Sequence, residues 1–252
     1  MYKINYCPAC LSKNIQIEKS KIAKFIACRI FETSIDSDID SVGVKCNDCE
    51  YVGSGERFTK IEENNLYKNY RGKDYNDLRE FCEPNYLEKI SYYESNNFIA
   101  ERKLRANNLL IKNLNPKLIK TVLDFGGATG EFIPDIFSNA DKYVYDISNV
   151  ELVSGIKKYN NQIKDIDIIL CNHVLEHISD LQKIIEQIKK LTTNTCWGYF
   201  EVPNNPSPYI GTFHEHINMF NKKSLTKLLT TNNFQIIDTY EYKNLCVLTK
   251  FN

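Results

Sequence analysis

The sequence predicts an α/β fold: a mostly parallel sheet covered by helices, preceded by a small metal-binding β module. Three observations carry this. Apolar strand-length runs alternate with helical patterns from residue 121 onward, a glycine-rich turn follows the first of those runs, and two Cys-x-x-Cys pairs stand before residue 50. A chain of 252 residues has room for one α/β domain of ordinary size and a small module that needs its own staple.

From Met1 to Thr59 the stretch Ile15 to Val44 is rich in β-branched residues and has few helix signals, so strands and turns are expected there. The polar, tyrosine-rich segment Lys60 to Tyr93 reads as a connector. Between Glu94 and Leu114, Phe98, Leu104, Leu109, Leu110 and Ile111 suggest an amphipathic helix that Pro116 closes. The alternation that follows gives strands at Thr121–Phe125, Tyr143–Ile147, Ile166–Cys171 and Thr195–Val202. Helices are expected between them at Glu131–Asn139, near Val150–Tyr159 and at Asp180–Leu191. A helix at Ser224–Asn232 precedes two runs, Gln235–Tyr242 and Leu245–Lys250, whose short Lys243-Asn244 connection favours an antiparallel pair at the end of the sheet. The expected divisions are therefore 1–59, a zinc-binding module; 60–93, a connector or lid; and 94–252, the α/β domain.

Lysine plus arginine equal aspartate plus glutamate at 32 each, which leaves no net field to gather polyanions and argues against nucleic acid as a partner. No apolar run is long enough to cross a bilayer, so no membrane association is expected. The start lacks the pattern of a secretory signal, which leads to an expectation of a cytoplasmic protein with its nine cysteines as thiols. Oligomeric state has no signature in the sequence.

Cys7-Pro8-Ala9-Cys10 and Cys46-Asn47-Asp48-Cys49 form two knuckles whose spacing suits one tetrahedral Zn²⁺. With Cys7, Cys10, Cys46 and Cys49 filling every position, the metal is expected to be structural and to supply folding energy that a module of this size lacks. Redox dithiols are the alternative reading, and Cys28 could displace one ligand. Cys82, Cys171, Cys196 and Cys246, like Cys28, lie singly in apolar surroundings and read as core filler.

Thr121 to Phe132 runs from an apolar strand into a glycine turn. Gly126 and Gly130 allow backbone angles and close ligand approach that a side chain would forbid, and the small Ala128 keeps the same surface open. Tyr143-Val144-Tyr145-Asp146 ends with an acid twenty residues after Gly126, where a carboxylate can accept hydrogen bonds from both hydroxyls of an adenosine ribose. Dinucleotide enzymes use related turns, so a dehydrogenase is the competing assignment.

The string Leu123-Asp124-Phe125-Gly126-Gly127-Ala128-Thr129-Gly130 resembles the first motif of the class I S-adenosylmethionine-dependent methyltransferases, with Ala128 in place of the usual middle glycine. Asp167 to His177, containing His-Val-Leu-Glu-His, is similar to that family's strand-four segment. The resemblance covers about residues 94 to 252. It implies a doubly wound seven-stranded sheet, mostly parallel with one antiparallel strand, and S-adenosylmethionine as cofactor. It also implies a donor pocket formed by Asp124, Gly126, Gly127, Ala128, Gly130, Asp146, Ile147, Asn172, His173 and Val174, with the last three on the methionine or adenine side. Asp124 either bonds the glycine-turn amides or meets the methionine ammonium. Leu175 and His177 are expected to start the next helix.

The four histidines, His173, His177, His214 and His216, fall in the strand-four segment or in a loop after strand five. Carboxyl ends of strands form the ligand crevice of an open α/β sheet, so Glu201, Asn204 and the segment Phe213 to His216 should face the transferred methyl. With the cysteine pairs, this His-Glu-His loop resembles the zinc-containing sugar methyltransferases that act on nucleotide-linked deoxysugars. The implied acceptor is a sugar nucleotide or polysaccharide-precursor sugar. His216 is the expected base, His214 its substitute, and Glu215 an orienting or sugar-binding group; a purely structural role for His214 and Glu215 is the alternative. Members that methylate carbon commonly have tyrosine where this chain has Phe213, which favours oxygen over carbon as acceptor. Methylation of a keto-sugar carbon, or a catalytically silent docking protein, are the other readings. Tyr70, Arg71 and Tyr75, with Lys73, are expected to form a lid over the sugar and a diphosphate, or else to pack on the sheet.

Overall fold

The computed structural model describes residues 1–93, 95–148, 150–192 and 195–251. The N-terminal part holds β1 (Tyr2–Lys3), β2 (Ile15–Ile22), α1 (Lys24–Phe31), β3 (Ile39–Cys46), β4 (Val52–Ser54) and β5 (Glu56–Arg57). Helix α1 corrects the expectation of strands and turns alone. Phe25, Ile26, Ala27, Cys28 and Ile30 are all buried, so the run lacks the polar face that would mark it as helical. Its N-terminal amide on Lys24 is capped from a distance by Asp38 Oδ1 at 2.8 Å, a partner that local sequence does not reveal.

Residues 60–93 form α2 (Lys60–Tyr67), α3 (Lys73–Cys82) and α4 (Tyr86–Tyr93). Leu66, Tyr75 and Tyr86 from these helices pack with Phe25 and Ile26 of α1 in one apolar cluster. Helix α5 (Asn96–Asn113) follows, capped by Ser95, whose side chain accepts from the Phe98 amide. It buries Arg102, Ala106, Leu109 and Leu110, whereas Leu104 and Ile111 are exposed. The buried stripe thus keeps the i, i+4, i+7 spacing but includes an arginine in place of two of the predicted apolar residues.

The remaining strands are β6 (Thr121–Phe125), β7 (Asp141–Tyr145), β8 (Ile156–Lys158), β9 (Ile168–Asn172), β10 (Trp197–Pro203), β11 (Thr212–Phe213), β12 (Asn218–Met219), β13 (Phe234–Glu241) and β14 (Asn244–Phe251). Helix α6 (Leu181–Lys190) lies between β9 and β10, and α7 (Lys222–Thr231) before β13. Seven of these strands form one sheet in the order β13-β14-β10-β9-β6-β7-β8. Its pairings are parallel from β10 to β8, and β14 runs antiparallel to both β10 and β13, which makes it the one reversed strand. The predicted fold class is the one observed.

Two connecting helices are not. Glu131–Asn139 contains only a 3₁₀ turn at Asp135–Phe137, because Pro134 has no amide hydrogen and cannot continue a helix from the preceding turn. Near Val150–Tyr159 the chain forms strand β8 after Gly155, which sits at φ +82° and is a poor helix former.

A second, five-stranded sheet has the order β11-β2-β3-β4-β12 and so takes strands from both ends of the chain. Asn218 on β12 is the polar centre of this junction. Its Oδ1 accepts from Arg57 Nη1 at 2.8 Å and from the Tyr51 hydroxyl, while its Nδ2 donates to the carbonyls of Leu175 and Ile178, both at 2.8 Å. Arg57, Tyr51 and Asn218 are all essentially inaccessible to solvent. No helix among the described residues is long and apolar enough to cross a membrane. Asn218→Ala would leave several buried donors and acceptors without partners, each costing about 1–3 kcal/mol. The expected loss is about 3–5 kcal/mol in urea unfolding.

Candidate functional site

The glycine turn leaves the carboxyl end of β6 and faces the end of β9. Gly126 has φ +74°, and a Cβ there would collide with the Val174 side chain; a Cβ on Gly127 would overlap the Asp124 carboxylate. The turn is therefore closed around groups from strands β6 and β9. Ala128, where the resembling family has glycine, also adopts a positive φ of 48°, a left-handed conformation that costs a side-chain-bearing residue roughly 1–2 kcal/mol. Its amide donates to Asp146 Oδ2 at 2.9 Å, and the Ser148 amide donates to Asp146 Oδ1 at 2.7 Å. Two backbone donors fix this carboxylate, and each oxygen keeps a lone pair for another partner. Ile147 beside it is strongly exposed.

Asp124 is fully buried, with Oδ2 unpartnered and Oδ1 at the limit of hydrogen bonding to Asn172 Nδ2, 3.5 Å away. Burial pushes its carboxyl up to about 7; the Asp146 charge adds to this, and the Arg102 guanidinium opposes it. A buried acid with an orphaned oxygen beside a turn closed by glycines fits a cationic ligand group such as an ammonium.

His173 follows Asn172 with φ 55°, unusual for a residue with a side chain. It is held by three contacts: its amide donates to the Glu201 carbonyl at 2.8 Å, Nδ1 lies 2.9 Å from Glu176 Oε1, and Nε2 lies 3.3 Å from Glu201 Oε1. Burial alone would lower its pKa, but Glu176 and Glu201 outweigh that and raise it above the ordinary value. The same pairing overcomes desolvation of Glu176 and holds that carboxyl down at about 2. Glu201 also accepts from the Tyr199 hydroxyl at 2.8 Å and meets Arg102 at 3.3 Å, which together with His173 keeps it well below the usual carboxylate range despite burial. It is 2% exposed, so the expectation that it faces the acceptor is corrected: its carboxylate is spent within the protein.

Past His173, a 3₁₀ turn at Leu175–His177 replaces the predicted helix start; α6 begins later, capped by Asp180 accepting from the Lys183 amide. His177 Nδ1 donates to the Glu215 carbonyl at 3.1 Å, and its ring meets the His216 ring edge-on, with centroids 4.8 Å apart. Desolvation lowers the pKa of His177 to about 4 and also lowers that of His216, although the His216 side chain keeps solvent access.

Glu215 meets Arg79 at 3.1 Å. Burial raises its carboxyl to about 7, against the Arg71 and Arg29 guanidinium groups. His214 is turned away to Glu83, 2.7 Å from Nδ1. Phe213 is fully buried in β11, paired with β2, and does not reach the cleft. Tyr75 is likewise core, stacked edge-on against Phe25 and Tyr70, which corrects its assignment to a lid. Tyr70 and Arg71 do lie near Glu215: burial and the Glu215 charge push the Tyr70 hydroxyl up to about 12, and Arg71 sits over the Tyr70 ring. Asn204 braces the β13–β14 turn through the Lys243 and Tyr242 carbonyls.

The four knuckle sulfurs converge. Cys7 and Cys49 Sγ are 3.6 Å apart, as are Cys10 and Cys46, and all four lie within 4.8 Å of one another. A tetrahedral thiolate site with bonds of about 2.3 Å has edges of about 3.8 Å, so these residues could hold such a metal. The residue after each pair, Leu11 or Glu50, has a positive φ, which turns the two knuckles alike.

Sequence reasoning missed Glu176, Arg79 and Arg102 and gave His177 only a structural role. The crowding of histidines into two segments pointed to His177 and its neighbour Glu176; nothing in the pattern marks the two arginines.

Residues 93–239 match the family described as "Methyltransferase domain". The chain therefore belongs to the methyltransferase-domain family. Among solved structures, mitomycin 7-O-methyltransferase shares the fold at 12% identity and a TM-score of 0.51, over 75% of this chain and 63% of that one. A riboflavin-derivative dimethyltransferase from Streptomyces davawensis aligns at 11% identity and a TM-score of 0.48, over 75% and 64%. The chain thus spans less than two-thirds of the length of either. No curated protein matches it in sequence. Gly127→Ala should force the Asp124 carboxylate to move and cost about 1–3 kcal/mol, read as a lowered melting temperature.

Proposed function

We propose that this protein transfers the methyl group of S-adenosylmethionine to a hydroxyl of a nucleotide-linked or polysaccharide-precursor sugar. The observation that carries the donor half is Asp124, a buried acid with an unpartnered oxygen, one strand away from Asp146. Asp124 would hold the methionine ammonium, the two free lone-pair positions of Asp146 the ribose hydroxyls, and the Gly126–Gly130 backbone the face of the ligand between them, with Asn172, His173 and Val174 beside it. The cofactor supplies an electrophilic methyl on a sulfonium. What remains for the protein is alignment and removal of the acceptor proton.

His216 is our choice for the proton acceptor: it retains solvent access and burial keeps it neutral, whereas His214 is engaged by Glu83. Arg71, exposed and near Glu215, would meet an anionic acceptor such as a sugar diphosphate, whereas Arg29 is engaged by the Leu66 and Lys68 carbonyls and Arg79 by Glu83 and Glu215. Tyr70 and Arg71 would contact it. In this reading residues 1–59 are a module stapled by a structural Zn²⁺ on Cys7, Cys10, Cys46 and Cys49, residues 60–93 carry the acceptor-facing turn at Tyr70–Arg71, and residues 94–252 bind the donor. The arrangement of the four sulfurs supports the zinc.

Donor affinity should depend on pH through Asp124. An ammonium pairs with the carboxylate form, so where the group is protonated, below about 7, binding must expel a proton. Calorimetry should show affinity rising about tenfold per pH unit up to about pH 7 and levelling above it, with a flat profile in Asp124→Asn. Mass spectrometry of a panel of sugar nucleotides incubated with the methyl donor should show one product heavier by a methyl group. His216→Ala should slow its formation by about 10²–10⁴ while leaving donor binding unchanged. A panel with no methylated product would reject the sugar acceptor.

A further inference from the structure

Glu176, His177 and His216 form a group that donor binding leaves unused. Each offers a ligand atom, and these atoms lie within 4.8 Å of one another. Glu176 is 1% exposed; its Oε1 is engaged by His173, but its Oε2 has no hydrogen-bond partner. A buried carboxylate oxygen without a donor is costly unless a cation meets it. The imidazole beside it has the right tautomer. Because the Glu215 carbonyl can only accept, His177 Nδ1 carries the proton and Nε2 keeps its lone pair, the arrangement found where a second-shell carbonyl orients a metal-bound histidine. His216 packs edge-on against His177 and is open to solvent on its other side.

We propose that these residues form a second metal site, separate from the four-thiolate cluster. It would bind one divalent first-row transition metal through Glu176 Oε2, His177 Nε2 and an imidazole nitrogen of His216. Two imidazoles and one carboxylate make the N₂O donor set that holds zinc or related metals with coordination positions left open. Ligand selectivity separates the two sites: thiolates favour soft and borderline ions, whereas this set also accepts harder ones. The site follows directly on Asn172, which borders Asp124, and on His173, which bonds Glu176, so its open positions would lie toward the acceptor side of the donor pocket. A metal there would lower the pKa of a coordinated acceptor hydroxyl and take over the task given to free His216. That use rests on the methyl-transfer reading; metal binding itself does not.

Cobalt(II) tests it, added to the full chain with zinc retained on its thiolates. The expected result is weak visible d–d absorption that saturates at one equivalent with no sulfur-to-cobalt charge-transfer band. Affinity should fall at least tenfold in His216→Ala, whose side chain is exposed, and in Glu176→Gln, which keeps the size of the buried side chain. No saturable absorption, a charge-transfer band alone, or absorption unchanged in His216→Ala would overturn the assignment. Calorimetry with S-adenosylhomocysteine on the same samples reads the donor pocket independently, so failure of the donor reading and failure of the metal site are told apart.

Discussion

The side chain of Asn218 is the constraint on which the geometry of the Leu175–His177 turn depends. It accepts from Arg57 and Tyr51 in the N-terminal module and donates to the carbonyls of Leu175, which opens the Leu175–His177 turn, and of Ile178, which follows it. All of these groups lie away from water, where an unsatisfied polar atom is expensive and a satisfied one has a single good geometry. The turn bearing Glu176 and His177 is thereby fixed to a strand whose own partner, β4, leads directly to Arg57. The cysteine module is in this sense part of the scaffold of the site: four converging thiols shape the knuckles that lead into Tyr51, and Tyr51 reaches Asn218.

Around that anchor the buried charges divide into two kinds. Glu201 and Glu176 are ionised because His173, and for Glu201 also Arg102 and Tyr199, compensate their desolvation. Glu201 and the Oε1 of Glu176 hold His173 in a left-handed conformation that closes the end of β9, while the Oε2 of Glu176 stays without a partner. Asp124 lacks such compensation, and burial raises it accordingly. Uncompensated buried groups next to an open crevice are where ligands are expected, since a ligand can supply what the protein omits.

Much of the fold was legible because strand periodicity and short connections are local. Strand β6 was read to the residue at Thr121–Phe125, and the antiparallel β13–β14 pair followed from its short turn. The helix at Lys24–Phe31 was not legible, because it is buried on almost every face and capped by Asp38 from elsewhere in the chain. The missing helix after the glycine turn could have been anticipated from Pro134 alone. At the site, the turn and its acid were visible as a pattern, since their function depends on backbone conformation and spacing. The burial of Glu201, Phe213 and Tyr75 was not, because a carboxylate or a ring facing a pocket and one facing a packed interior look the same in one dimension. Arg79 and Arg102 were hidden for the converse reason: cations on amphipathic helices normally point to solvent, and here both turn inward to carboxylates.

The central claim is that the space between Asp124, the glycine turn and Asp146 is an adenosine-sulfonium pocket. Equilibrium binding of S-adenosylhomocysteine measures it most directly. One site per chain, with affinity reduced at least about tenfold when Asp146→Ala removes the ribose acceptor, is the predicted result. No binding, or binding indifferent to that substitution, would contradict it.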